Sequence, residues 1–260
     1  MDAVYVPLPP TLHFSWAKLA LESGKHVFLE KPFTTAIDNT SYLIDLAEKR
    51  GLALHENYMF TFHNQIIEIN NIIKNGEIGD VRLYKISFGF PRRADYDFRY
   101  NKALGGGALL DCGGYTIKYA SILLGDSAKI VYAVLNYIDD FEVDIFGSAA
   151  MLNDDGIVAQ ISFGMDNDYK CDLEVWGSKG CLTTGRILTA PEGFVPEVSI
   201  KKGSGIEVRT LSADDTFMKS ILKFQQCVKD SDIRINNYKV ILKQAKLIDE
   251  FIKTVVRFPQ

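Results

Sequence analysis

Three short stretches of this 260-residue sequence carry side chains that could move a proton or hold an anion. The first is Glu30-Lys31-Pro32. A lysine ammonium can hold a substrate hydroxyl and lower the pKa of a neighbouring acid. The tripeptide follows Val27-Phe28-Leu29, an apolar run that reads as a strand. Lys31 therefore stands at a strand's carboxyl end, the edge where open α/β sheets bind ligands. Proline after the lysine allows a cis peptide bond, which would fix where Lys31 points. Taken alone, the tripeptide also fits a charged surface loop.

The second stretch runs from Leu104 through Gly105-Gly106-Gly107 to Asp111 and Tyr115. Glycines let a backbone come close to a ligand. Asp111 and Tyr115 are four apart, so on a helix they share a face. That arrangement suits proton transfer, and it also suits a capping aspartate beside a packed tyrosine. The third stretch, Asn57-Tyr58-Met59-Phe60-Thr61-Phe62-His63, is aromatic and reads first as core, with His63 as a structural histidine.

The elements that must position these residues come in two styles. Ala3-Val4-Tyr5-Val6 is a buried parallel strand stopped by Pro7-Leu8-Pro9-Pro10. Trp16, Leu19, Ala20 and the closing Gly24 give a helix with its C-terminal stop, and Val27 to Leu29 is the next strand. Thr40 to Arg50 is a second helix, and Leu52-Ala53-Leu54 a third strand. This alternation predicts a parallel sheet with right-handed crossovers. From about residue 64 the style changes. A helix with Ile66, Ile69, Ile72 and Ile73 stops at Gly76, and Val81 to Phe90 is a strand. Leu104 to Leu124 is a loop running into a helix. Lys129 to Leu211 is mostly strands with tight turns at Asn153–Gly156, Asp166–Asp168 and Lys202–Gly205. Two helices finish the chain, the last marked by Ile241, Ala245, Ile248, Ile252 and Val255. The fold expected is α/β: a partial dinucleotide-binding domain over 1–56, then an α+β domain over 57–260 with a large, open, mostly antiparallel sheet.

Composition narrows the function classes. The chain is 47% hydrophobic and 24% charged with net charge -4, which gives no electrostatic reason to expect nucleic acid or an anionic membrane as partner. It has no run of eighteen apolar residues and no secretory start. Cys112, Cys171, Cys181 and Cys227 lack metal-ligand spacing and read as thiols of a reducing cytoplasm, so no metal site is expected. No Gly-x-Gly-x-x-Gly follows any strand, and Gly105-Gly106-Gly107 has the wrong spacing for that fingerprint. Two further βαβ units ahead of Ala3 would need about 60 residues. Without the pyrophosphate cradle, residues 1–260 are expected to bind a dinucleotide weakly.

Taken together, these stretches resemble the Gfo/Idh/MocA oxidoreductases. The likeness rests on Asp2 to His13, on Ala20 to Val27 running into Glu30-Lys31-Pro32, on Asp97-Phe98-Arg99 and on Leu104 to Tyr115. The resemblance implies NAD or NADP as cofactor and a sugar, polyol or related hydroxy or keto compound as substrate. It implies Lys31, Asp111 and Tyr115 as the catalytic set. It places Pro7, Leu8, His13, Glu30, Lys31, Pro32 and Arg99 beside the cofactor. Lys31 is expected to draw the Tyr115 phenol, ordinarily near about 10, closer to neutrality. The open sheet is expected to be apolar, uncovered by helices, and paired with a second copy. A non-catalytic ligand-binding or association protein derived from the same family is the alternative reading.

Overall fold

A computed structural model describes residues 1–138 and 141–259. The N-terminal strands β1 (Ala3–Val6), β2 (His26–Leu29) and β3 (Leu54–Glu56) form one parallel sheet in the order β1-β2-β3. Helices α1 (Pro10–Glu22) and α2 (Ile37–Arg50) make the crossovers. The third strand lies two residues later than the sequence pattern suggests. Gly51 turns the chain in the left-handed region, and the Leu52 amide still donates to Ala47 of α2. Ladder pairing therefore begins at Leu54 opposite Val27. The consequence is that Glu56, rather than a leucine, ends the strand.

The buried face of α1 is built largely from small residues. His13, Ala17, Ala20 and Leu21 face the sheet, while Trp16 and Leu19 are half exposed. Small alanines let the helix lie close on β1 and β2, and the bulky side chains are left on the other side. One sheet face carries Val6, Leu29 and Leu54, packed with Leu43 of α2 and with Tyr238 and Ile241. The opposite face carries Phe28 and Ala53 against Phe224 and Cys227. Those last four partners come from α5 (Thr216–Lys229) and α6 (Ser231–Thr254), so the end of the chain returns to cover its beginning.

After a 3-10 turn at Met59–Phe62 comes α3 (Asn64–Lys74), whose Ile66, Ile69 and Ile72 are buried. The second sheet has nine strands: β4 (Val81–Gly89), β5 (Lys129–Tyr137), β6 (Asp144–Leu152), β7 (Val158–Gly164), β8 (Lys170–Gly177), β9 (Cys181–Gly185), β10 (Glu197–Lys202), β11 (Gly205–Thr210) and β12 (Val256–Pro259). Their order is β11-β10-β9-β8-β4-β7-β6-β5-β12. The β4–β7 and β12–β5 pairs are parallel and the others antiparallel. A strand thus follows the last helix, and Val255 belongs to the link rather than to the helix.

One face of this sheet is covered. Ile86, Phe88, Ile161, Phe163, Leu173 and Val175 pack under α4 (Gly114–Leu124) and α6 in the main core. The other face is open, and it is mixed rather than apolar. Gln160 and Ser162 alternate with the buried Ala159 and Ile161, the Ser162 hydroxyl donates to Ser87, and Lys85 pairs with Glu174. Half-exposed Tyr132 and Trp176 stand among them. The expected open face is present, and its expected apolar character is corrected. The central strands alternate, and most of their apolar residues fall on the helix side. No helix of the described residues is long and apolar enough to cross a membrane.

Candidate active site

A cavity of about 300 Å³ opens at the carboxyl ends of β1 and β2. Pro7, Leu8, Glu30, Lys31, Arg99 and Asp111 are among the residues that line it. Pro32 joins them across a cis Lys31–Pro32 bond. The two strands end side by side because they are paired in register, Val6 opposite Leu29. Their following loops therefore meet over one space.

Lys31 is the hub. Its Nζ donates to Asp111 Oδ1 at 2.5 Å and to the Asp111 main-chain oxygen at 3.0 Å. It also lies 5.0 Å from the centroid of the Tyr115 ring. The second carboxylate oxygen of Asp111 accepts from Arg99 Nε at 2.8 Å, and Arg99 in turn reaches Asp97 at 3.1 Å. Burial pushes the Asp111 carboxyl upward, but Lys31 and Arg99 outweigh it and hold the group below the usual carboxylate range. Burial likewise works against the Lys31 ammonium, and Asp111 and Tyr115 more than offset it, so the lysine stays charged. Tyr115 departs from expectation. Burial raises its phenol, Lys31 offsets only part of that, and the net shift is upward. The aromatic wall explains it: Tyr58, Phe88 and Phe60 hold their ring centroids 5.1, 5.3 and 5.7 Å from that of Tyr115.

The helix that presents Asp111 and Tyr115 opens with a π-turn, Leu109–Gly113, before α4 begins. Its wider winding sends Asp111 to Lys31 and Arg99, and Tyr115 into the aromatic wall. Such turns recur at functional sites. The glycines before it are there for packing. A Cβ on Gly106 would stand 2.3 Å from the Arg99 carbonyl oxygen. Only glycine lets this loop run against the Arg99 backbone, which brings the guanidinium to Asp111.

Glu30 Oε1 accepts from Asn57 Nδ2 at 2.7 Å and from the Tyr5 hydroxyl at 2.8 Å, which aims the carboxylate across the cavity mouth. Two members of the expected set do not line the cavity: Tyr115 lies in the aromatic wall next to Lys31, and His13 sits beneath the loops. His13 is fully buried, and its ring nitrogens lie 2.8 Å from Pro32 O and 2.7 Å from Leu8 O. It ties the two cavity loops together from behind. His63 is also buried and structural: Nδ1 accepts from the Gln65 amide and caps α3. The roles of Tyr5 and Asn57 had no signal in the sequence, because their partner Glu30 is 25 or more residues away.

The fold and site are those of a dinucleotide-linked oxidoreductase, with a lysine and an aspartate at a strand-end cavity and a tyrosine beside the lysine. The chain belongs to the GFO/IDH/MocA oxidoreductases. The model for the NAD-binding Rossmann fold of that family matches residues 1–58, and the GFO/IDH/MocA C-terminal domain matches 66–183. A dTDP-3,4-didehydro-2,6-dideoxy-alpha-D-glucose 3-reductase of Actinomadura kijaniata is 40% identical over 249 residues, covering 96% of this chain and 75% of the relative. A reductase of the same name from Streptomyces violaceoruber is 39% identical over 259 residues, again covering 96% of this chain and 75% of the relative. The crystal structure of KijD10, a 3-ketoreductase from Actinomadura kijaniata in complex with NADP and TDP-benzene, superposes with a TM-score of 0.97 at 38% identity. The match covers all of this chain and 80% of that one.

Proposed function

We propose that the protein is an NADPH-dependent ketoreductase acting on a keto-deoxysugar carried by a nucleoside diphosphate. The observation that carries this reading is the Lys31–Asp111 pair at the cavity with Tyr115 beside Lys31, in a chain whose relatives are named as dTDP-sugar 3-reductases. The cavity residues fit the nicotinamide end of the cofactor. Pro7 and Leu8 offer apolar surface at a strand end, and Glu30 and Lys31 offer polar partners for a ribose or carboxamide. Bound there, the reduced dinucleotide supplies hydride.

The chain's own residues supply the proton and the placement. Tyr115, kept as a neutral phenol by burial, donates its proton to the substrate oxygen as the carbonyl is reduced. The Lys31 ammonium, 5.0 Å from the Tyr115 ring, stabilises the negative charge that develops on that oxygen and on the phenolate left behind. Asp111 and Arg99 hold Lys31 at that distance. An intact set of this kind supports an enzyme over a non-catalytic binding protein.

The test is NADPH consumption with a dTDP-linked 3-keto-deoxysugar. It is run on residues 1–260 and on the same chain extended at its N-terminus by the phosphate-binding segment of the Actinomadura relative. Turnover by either form supports the reading. Absence of turnover in both, with dTDP-sugar binding also absent, rejects it.

We also propose that two copies associate through the open face of the nine-stranded sheet, where Tyr132 and Trp176 stand about half exposed. Trp176→Arg should convert a sedimenting dimer to monomer without loss of helix signal. A parent that sediments as a monomer at high concentration overturns this.

A further inference from the structure

The π-turn that carries Asp111 starts without a capping side chain of its own. The residue before it is Ala108, which has no side-chain acceptor, and no local side chain takes the first amides. The first free amides of a helix need partners. They find one from far along the chain. Asp144, the first residue of β6, accepts the Leu109 amide through Oδ2 at 2.7 Å, from 35 residues away. The Ala108 amide lies near enough to this carboxylate to help hold its pKa down.

The backbone is shaped around this contact. Gly107 has φ +122, and a Cβ there would stand 2.5 Å from Asp144 Oδ1. The Asp144 oxygen occupies the space that any other residue at 107 would fill. The Asp111 amide bonds back to the Gly107 carbonyl at 3.1 Å, so the residue fixed by Asp144 is one hydrogen bond from the residue that holds Lys31.

We propose that Asp144 is a positioning residue for the catalytic set: its carboxylate takes the N-cap place of the π-turn and so fixes where Asp111 and Tyr115 point. It touches neither substrate nor cofactor and acts through the turn. A carboxylate is the best acceptor for two amides at a helix N-terminus, where the helix dipole favours negative charge. The charged and titratable neighbours that face it are Arg257 of β12, Tyr137 of β5 and Cys112 of the turn itself. Burial pushes the Asp144 carboxyl up to about 6, with the amides and Arg257 pulling the other way. The anion that caps the turn is therefore lost just below neutrality, and the grip on the turn weakens with it.

This inference rests on the active-site reading above, and its experiment separates the two. Amide hydrogen exchange is measured on residues 1–260 and on Asp144→Ala and Asp144→Asn. Loss of a hydrogen bond to a charged acceptor should speed exchange at Ala108 and Leu109 by about tenfold or more in the alanine variant. Exchange in β7 and β8 should stay as in the parent. Asparagine keeps one acceptor oxygen and should restore most of the protection. In the form that turns over sugar nucleotide, Asp144→Ala should lower kcat by about ten- to a hundredfold with KM nearly unchanged. Asp144→Asn should recover much of that and flatten the acid limb of the pH profile near about 6. Exchange at Ala108 and Leu109 unchanged in both variants overturns the proposal, as does faster exchange spread evenly over the chain. If the parent protein turns over no sugar nucleotide, the ketoreductase reading fails while the exchange data still decide the role of Asp144.

Discussion

Two lysine–carboxylate pairs lie buried among the described residues, and their pKa values shift in opposite directions. Lys31 and Asp111 meet at 2.5 Å, with 13% of each side chain exposed. Lys118 and Glu56 meet at 3.4 Å, with 9% and 3% exposed. Both pairs are largely desolvated, so burial alone does not separate them. In the first pair the lysine is raised and the acid lowered, and both stay charged. In the second, burial lowers Lys118 and raises Glu56, and each partner only partly opposes it. The difference is the third party. Asp111 has Arg99 on its other oxygen, a second cation at 2.8 Å. Glu56 has only the Phe33 amide there. A buried pair keeps its charges when a further charge-assisted bond completes the carboxylate; without one, desolvation takes back most of the Coulomb gain. The completed pair is the one beside the cavity. The incomplete one, behind Tyr58, joins α4 to the end of β3 and has a structural task.

The comparison can be broken most severely at Tyr115, the proposed acid beside Lys31. In the active form, Tyr115→Phe should cut the rate by about 10²–10⁴ with little change in substrate binding. Lys31→Ala should also cut it, and the double variant should lose less than the product of the two, because both act on one proton transfer. Full activity in Tyr115→Phe would make the tyrosine a packing residue.

A smaller effect concerns stability. Asp111→Asn leaves Lys31 and Arg99 facing each other with no anion between them, and should cost about 3–5 kcal/mol in urea unfolding. Glu56→Gln should cost less, since Lys118 is already disposed to give up its proton. Replacing both members of that pair, as in Glu56→Leu with Lys118→Met, should come out near neutral or stabilising. An equal cost for Asp111→Asn and Glu56→Gln would show that Arg99 does not separate the pairs.

The smallest effect is on pH dependence, and the two acids should have opposite signs. The folded pKa of Asp111 lies below its unfolded value of about 3.9. Its contribution is present above that value and is lost as pH falls through the folded pKa. Asp111→Asn should therefore flatten the acid limb of the stability curve. The folded pKa of Glu56 is raised. Its contribution is present below the unfolded value of about 4.3 and is lost as pH rises toward the folded pKa. Glu56→Gln should therefore gain on the parent as pH rises above about 4.3. Melting curves of both variants across acid pH read the two signs directly.

Much of the site was legible because its chemistry sits in short motifs. Lys31 at a strand's end and Asp111 four residues before Tyr115 are local facts. So is the parallel βαβαβ start, written in short apolar runs and their stops. Elsewhere local spacing misled. Trp16 and Leu19 help mark α1 in the sequence, yet the helix packs by its alanines. Leu52 to Leu54 looked like the third strand, yet the turn after Gly51 takes up Leu52 and Ala53.

What the sequence determined by itself was which residue types stand at which strand ends, and hence the family and the catalytic candidates. Only the tertiary structure decided what those residues become. It set the Tyr115 phenol above its ordinary value, because three rings from distant stretches enclose it and their burial outweighs one ammonium. It moved His13 from the cavity to the back of its loops, because two carbonyls close on its ring. It brought Asp144 to cap a turn 35 residues earlier, through a contact no periodicity encodes. Each of these depends on groups far apart along the chain that share one small volume, and desolvation there is fixed by packing rather than by neighbours in sequence.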